Sequence, residues 1–230
     1  MRNARRRGEP PEEVAAILEA LSHLLDQIDS TGRKVGNAKY GAYAFFDYDG
    51  EPIYVGQTTE RLRTRIRRHL TNQRTDAVAM SVLDPFEVAE IEMWPLWDLT
   101  ASPGNQAEIK ERLNSAEYTV FQQVVAGSLF CAVLNEVPVT PAPIVTLPSS
   151  VRGRIVPDDI YQRRLHSDIR IARRANTIAR LAQIISERSV QPGLRATLLT
   201  QARRLEHLAS QRLEEIGGPP VPGENVEPDE

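Results

Sequence analysis

At 230 residues, with a net charge of −3 and a hydrophobic fraction of 41%, the chain can bury a core and still carry an appendage, and its slight negative charge argues against a general nucleic-acid binder. Its single cysteine, Cys131, excludes an intramolecular disulfide; flanked by Leu129-Phe130 and Ala132-Val133-Leu134, it reads as a small buried hydrophobe in a reducing compartment. No apolar run is long enough to span a bilayer, and Arg2, Arg5, Arg6 and Arg7 lead into Pro10-Pro11-Glu12-Glu13 rather than an apolar signal segment, so the expected location is the cytoplasm.

Residues 1–37 divide into a basic arm and a first helix over 11–29. On that helix Val14, Leu18, Leu21, Leu25 and Ile28 share a face, with His23 off it. Residues 39–70, KYGAYAFFDYDGEPIYVGQTTERLRTRIRRHL, read as a β-hairpin feeding an arginine-studded helix. Asp49-Gly50 suits the positive φ angles of a tight turn. With those two residues as the loop, Tyr48 faces Glu51, Phe45 faces Tyr54 and Tyr43 faces Gly56. Tyr43 and Tyr54 then project from one side, whereas a loop of odd length sets them on opposite faces. Thr58 or Thr59 is expected to cap the helix. Leu62, Ile66 and Leu70 form its buried stripe, and Arg65 and His69, four apart, stack beside it.

Further along, 71–75 is polar and 86–97 reads as a third strand with room for a bulge between Glu90 and Ile91. Ser102-Pro103-Gly104 breaks the chain before helices over 106–113 and 115–126, which can be continuous. Pro138, Pro141, Pro143 and Pro148 make 137–157 an extended linker lying against the first domain. Residues 158–217 read as a helical hairpin turning at Gln191-Pro192-Gly193, and 218–230 as a disordered acidic tail. The fold class is therefore α+β: a small antiparallel three-stranded sheet flanked by helices over 38–136, plus a C-terminal αα-hairpin.

The hairpin and the helix after it resemble the GIY-YIG endonucleases. Gly41-Ala42-Tyr43 stands at the first tripeptide, Tyr54-Val55-Gly56 at the second, and Arg65 to His69 is the R-x-x-x-H helix. The first tripeptide departs from the family in having Ala for Ile. The resemblance covers about 40–135 and implies a metal-dependent phosphodiester hydrolase acting on DNA, with Tyr43 as general base and Tyr54 orienting water or phosphate. It also implies a metal-binding glutamate early in a helix and an asparagine downstream. Ala116-Glu117-Tyr118 and Leu134-Asn135 fit those places, so Glu117 is the candidate ligand for Mg2+ or Mn2+ and Asn135 a positioning residue.

Such chemistry needs an activated water, a grip on the phosphate and help for the leaving oxygen. Arg65 has the forked donors for the grip, with Arg63 as its alternative. Tyr43 and His69 are the two candidate bases. Glu87, Glu90, Glu92, Glu108 and Glu111 compete with Glu117. His166 beside Asp168 reads as solvated helix surface rather than a metal pair. Arg61, Arg63 and Arg68 on the arginine helix, with Arg163 and Arg164 in the appendage, are candidate nucleic-acid contacts; Arg170, Arg173 and Arg174 extend that second cluster. Double-stranded DNA is the expected partner, and the leucine face of the helical hairpin is a candidate homodimer surface. The rival readings are a non-catalytic nucleic-acid-binding module on the same fold and a protein-interaction module working through its helical hairpin.

Overall fold

The computed structural model describes residues 10–70, 84–101 and 104–219. The basic arm up to residue 9, the polar stretch 71–75 and most of the acidic tail lie outside the described residues.

A four-stranded antiparallel sheet in the order β2-β1-β3-β4 forms the centre, from β1 (Gly41–Phe46), β2 (Pro52–Thr58), β3 (Glu90–Pro95) and β4 (Val151–Arg154). β1 is buried at every position, because it has a strand on each side and helices over both faces. Alternation sorts its side chains. Tyr43 and Phe45 join Leu21, Leu24 and Leu25 of α1 (Glu12–Leu25) and Leu62 and Ile66 of α2 (Leu62–Leu70). Ala42, Ala44 and Phe46 join Leu99 of the single turn α3 (Asp98–Ala101) and Ile109, Leu113, Ala116 and Val120 of α4 (Gln106–Ala126). α4 is one continuous helix, opened by a capping box between Asn105 and Glu108.

The hairpin register holds with a correction. Phe45 pairs with Tyr54 and Tyr43 with Gly56, but Tyr48 does not face Glu51. The Asp47 amide donates to the Glu51 carbonyl, so the loop is the three residues Tyr48, Asp49 and Gly50, with Gly50 at φ +77°. A register shift between Phe45 and Phe46 then absorbs the odd count. The two phenols end on one side, with ring centroids 6.0 Å apart.

The sheet has four strands rather than three. Val151–Arg154 lies between Pro148 and Pro157 of the expected linker, so its amides are available to pair with β3. β3 is shorter than the expected strand, and its register against β1 runs without a bulge. Phe86 lies in a short 3-10 turn (Pro85–Glu87). α1 ends at Leu25, which leaves Ile28 exposed in an isolated bridge to Lys34. α2 begins at Leu62 instead of at a threonine cap; Thr58 is the last residue of β2, its hydroxyl accepting from the Glu60 amide. Cys131 is exposed at φ +48°, since 128–131 is a turn leaving α4 and not a core segment.

Three helices follow: α5 (Asp158–Leu165), α6 (Ser167–Glu187) and α7 (Pro192–Glu215). The expected first helix breaks at His166, whose Nδ1 accepts from the Asp168 amide and caps α6. α6 and α7 pack together around Leu181 and Leu194. Arginines from both reach the hairpin loop. Arg170 grips Asp49 with both terminal nitrogens, and Arg174 donates to Asp47 at 2.7 Å. Arg204 donates to the carbonyls of Pro52 and Ala132, each at 3.0 Å.

Candidate active site

Four side chains named from the sequence meet on the α2 side of the sheet. Tyr43, Tyr54 and His69 sit with ring centroids between 5.0 and 6.0 Å of one another. His69 is buried, one turn beyond Arg65 and against the phenols rather than at the surface. Arg65 Nε donates to the Tyr43 hydroxyl at 3.1 Å, and that hydroxyl lies 3.2 Å from His69 Nε2. Gly56 makes room for this: a Cβ there would lie 2.7 Å from Tyr54 Cε1 and 2.8 Å from the Tyr43 hydroxyl. The strands bring the phenols together only because that residue has no side chain.

Burial pushes the Tyr43 phenol well above its ordinary value, with Tyr54 adding to the rise and the Arg65 charge opposing it. Tyr43 therefore rests as a neutral phenol. Burial works to lower Arg65, but the phenols of Tyr43 and Tyr54 outweigh it and strengthen its hold on its charge.

Glu117 belongs to the opposite layer, on α4. The two layers meet around β2, an edge strand of the sheet. There a cleft of about 550 Å³ is lined by Gln57, Thr58, Thr59, Glu60, Arg65 and Arg68 on one side. Gln106, Ile109, Lys110, Leu113 and Asn114 of α4 form the other wall. Glu117 lies beside this cleft, half-buried. Burial raises its carboxyl, while a hydrogen bond from Gln57 and the charge of Arg65 pull it down; the net shift is upward.

The rival glutamates have other work. Glu90 and Glu92 pair with Arg152, Glu108 closes the capping box, Glu111 lines a separate groove and Glu87 is buried among the arginines of α6. Among the described residues no cluster of three or more His, Cys, Asp or Glu could hold a metal ion. One half-buried carboxylate, with one oxygen bonded by Gln57, suits a hard cation that keeps most of its waters.

Asn135 does not enter the cleft. Its side-chain oxygen accepts from the Val55 amide at 3.0 Å and its nitrogen donates to the Val55 carbonyl at 2.8 Å, so it dresses the outer edge of β2. Arg63, the alternative arginine, is turned away to Asp26 just after α1, which it and Lys34 hold down to about 2. Arg68 pairs with Glu60 in the cleft wall, and Arg61 is exposed. Arg163 is exposed beside Asp159. Arg164 is not on a nucleic-acid surface: it is buried against Glu13 and Phe86, while its neighbour Arg163 stays exposed. Arg170 and Arg174 are likewise buried against the hairpin loop. His166 serves as a helix cap. Asn114 was not among the candidates; its only signal in the sequence is that it stands three residues before Glu117.

Residues 39–114 match the family described as the GIY-YIG catalytic domain. No curated protein and no solved structure matches the chain significantly. No helix among the described residues is long and apolar enough to cross a membrane.

Proposed function

We propose, for a chain that over residues 39–114 belongs to the GIY-YIG nucleases, that it is a metal-dependent endonuclease hydrolysing phosphodiester bonds in double-stranded DNA in the cytoplasm. The observation that carries this reading is the chain of hydrogen bonds Arg65–Tyr43–His69 at the side of the cleft. Arg65 donates to the phenol oxygen, so the proton of Tyr43 has His69 Nε2 as its acceptor. A neutral, high-pKa phenol is a poor base alone. Tyr43 takes a proton from the attacking water as its own proton passes to His69, so no free phenolate has to exist in the buried site. The guanidinium of Arg65, which lines the cleft, grips a non-bridging oxygen as charge builds there. Tyr54 orients the water or the phosphate. Glu117 holds the cation, Mg2+ or Mn2+, which supplies charge neutralisation at the phosphate and the departing oxygen. Arg61 and Arg68 on α2, with Arg163 beyond, steer the polyanion, and cutting both strands takes two copies of the chain.

Supercoiled plasmid incubated with Mg2+ or Mn2+ tests this. The wild-type chain nicks or linearises it and chelation stops the reaction. Glu117→Ala and Tyr43→Phe each lower the rate by about 10²–10⁴-fold while leaving DNA affinity nearly unchanged. A wild-type chain that binds DNA and cleaves with neither cation would make this a binding module instead.

A further inference from the structure

Gln57 follows the second tripeptide and has no role in the chemistry above. Along β2, Tyr54 and Gly56 share the face of Tyr43, so Val55 and Gln57 face α4. The two protons of its amide are both used: Nε2 donates to Asn114 Oδ1 at 2.7 Å and to Glu117 Oε2 at 3.0 Å. Asn114 and Glu117 are three apart and lie on one face of α4. An ionised carboxylate only accepts, so the nitrogen of Gln57 is the atom that must face it. Asn114 holds that nitrogen from the other side and sets the rotation of the amide.

We infer that Gln57, held by Asn114, is a positioning residue that fixes the orientation of the Glu117 carboxylate beside the cleft. The inference rests on the reading of Glu117 as the cation-holding acid. One amide thus sets the direction of the carboxylate. Because β2 carries Tyr54 and Gly56 on one face and Gln57 on the other, this bond also ties the phenol layer to the acid layer across one strand.

The test uses the full chain. Gln57→Glu is nearly isosteric and sets an acceptor against the Glu117 carboxylate, while the Asn114 amide can flip to donate to it; Gln57→Ala removes both contacts; Asn114→Asp keeps the acceptor that Gln57 needs. Mg2+ added to the full chain and followed by isothermal calorimetry is expected to bind about 10–100-fold more weakly in Gln57→Glu than in wild type. The shift in Gln57→Ala is smaller, and Asn114→Asp retains the Gln57 contact. In plasmid cleavage, the Mg2+ needed for half-maximal rate rises by about 10–100-fold in Gln57→Glu. Where Gln57→Glu does not fold, Gln57→Ala carries the same two readouts. Wild-type Mg2+ affinity and metal dependence in both Gln57 variants, beside an inactive Glu117→Ala, overturns the inference and leaves the nuclease reading standing. Full activity in Glu117→Ala overturns both.

Discussion

A methyl group on Gly56 would sit between two aromatic rings, inside 3 Å of each. Its backbone φ is not positive, so the demand on glycine there is one of space and not of backbone conformation. Gly56→Ala must push Tyr43 and Tyr54 apart, and Tyr43 is completely buried, with the Phe45 ring tilted against it at 5.4 Å between centroids. Misplacement by a fraction of an ångström at a reacting group is expected to lower single-turnover cleavage by about 10²-fold. Overpacking is expected to destabilise the fold by only about 1–3 kcal/mol. Stopped cleavage assays beside a thermal melt separate the two; an unchanged rate would mean the rings relax without loss of geometry. The same crowding explains why the phenol pair was legible from spacing alone. Tyr43, Tyr54 and the intervening turn are local, and strand alternation puts the phenols together once the register is known. The burial of His69 was not legible, because helical spacing places it beside Arg65 without saying which layer covers it.

At the scale of elements, β2 is an edge strand whose outer backbone is closed by the segment after α4. The Leu134 amide donates to the Ile53 carbonyl at 2.8 Å, and the Asn135 side chain takes both polar groups of Val55. Two residues therefore do for β2 what a neighbouring strand does for β1, and they shield the edge from stray pairing. Asn135→Ala is expected to remove about 1–3 kcal/mol of stability, read by denaturant melting. Exchange of the Val55 amide should speed up in step, whereas unchanged exchange would show that water replaces the side chain. The hairpin could be read from its sequence because its turn and alternation lie within 20 residues. β4 could not. Val-Arg-Gly-Arg at 151–154 alternates over only four residues, one of them glycine, too short a signal to read inside a proline-rich stretch. The helix break at His166 was hidden for a similar reason: an imidazole acting as a cap looks like any surface histidine until the amide it bonds is known.

For the whole molecule, the C-terminal helices are fastened to the hairpin by charge rather than by a broad apolar face. Arg170, Arg174 and Arg204 are each no more than 5% exposed, and their partners Asp47, Asp49 and Glu51 come from one loop over 100 residues earlier in the chain. No local pattern announces such a pairing, which is why Arg170 and Arg174 read as a phosphate-binding surface. The loop they hold is about four residues along the strands from the Tyr43–Gly56 pair, roughly 13 Å at strand rise. The appendage therefore braces the hairpin from the end away from the cleft.

Glu87 is the strained member of this assembly. It lies 3.8 Å from Arg174 and 4.0 Å from Arg170, yet neither of its carboxylate oxygens accepts a hydrogen bond. Burial raises it from 4.5 to about 7 in spite of the arginine charges. The sign of the linkage follows from that direction. Between about pH 4.5 and 7 the folded chain binds the Glu87 proton more tightly than the unfolded chain, so stability falls as pH rises through this window. Below it the group is protonated in both states and costs nothing. Above it the full penalty applies, on the order of 3 kcal/mol. Burial also raises Asp47, so its penalty has the same sign, whereas Asp49, held down by Arg170, contributes stability that is lost in acid. Glu87→Gln keeps the shape and removes the charge. Urea unfolding at pH 5 and pH 8 is expected to show the variant gaining about 2–3 kcal/mol on wild type between the two values, with the gain confined to the upper pH. Parallel pH dependence in the two proteins would place the carboxylate in contact with water or a donor, and the brace would then carry no titratable strain.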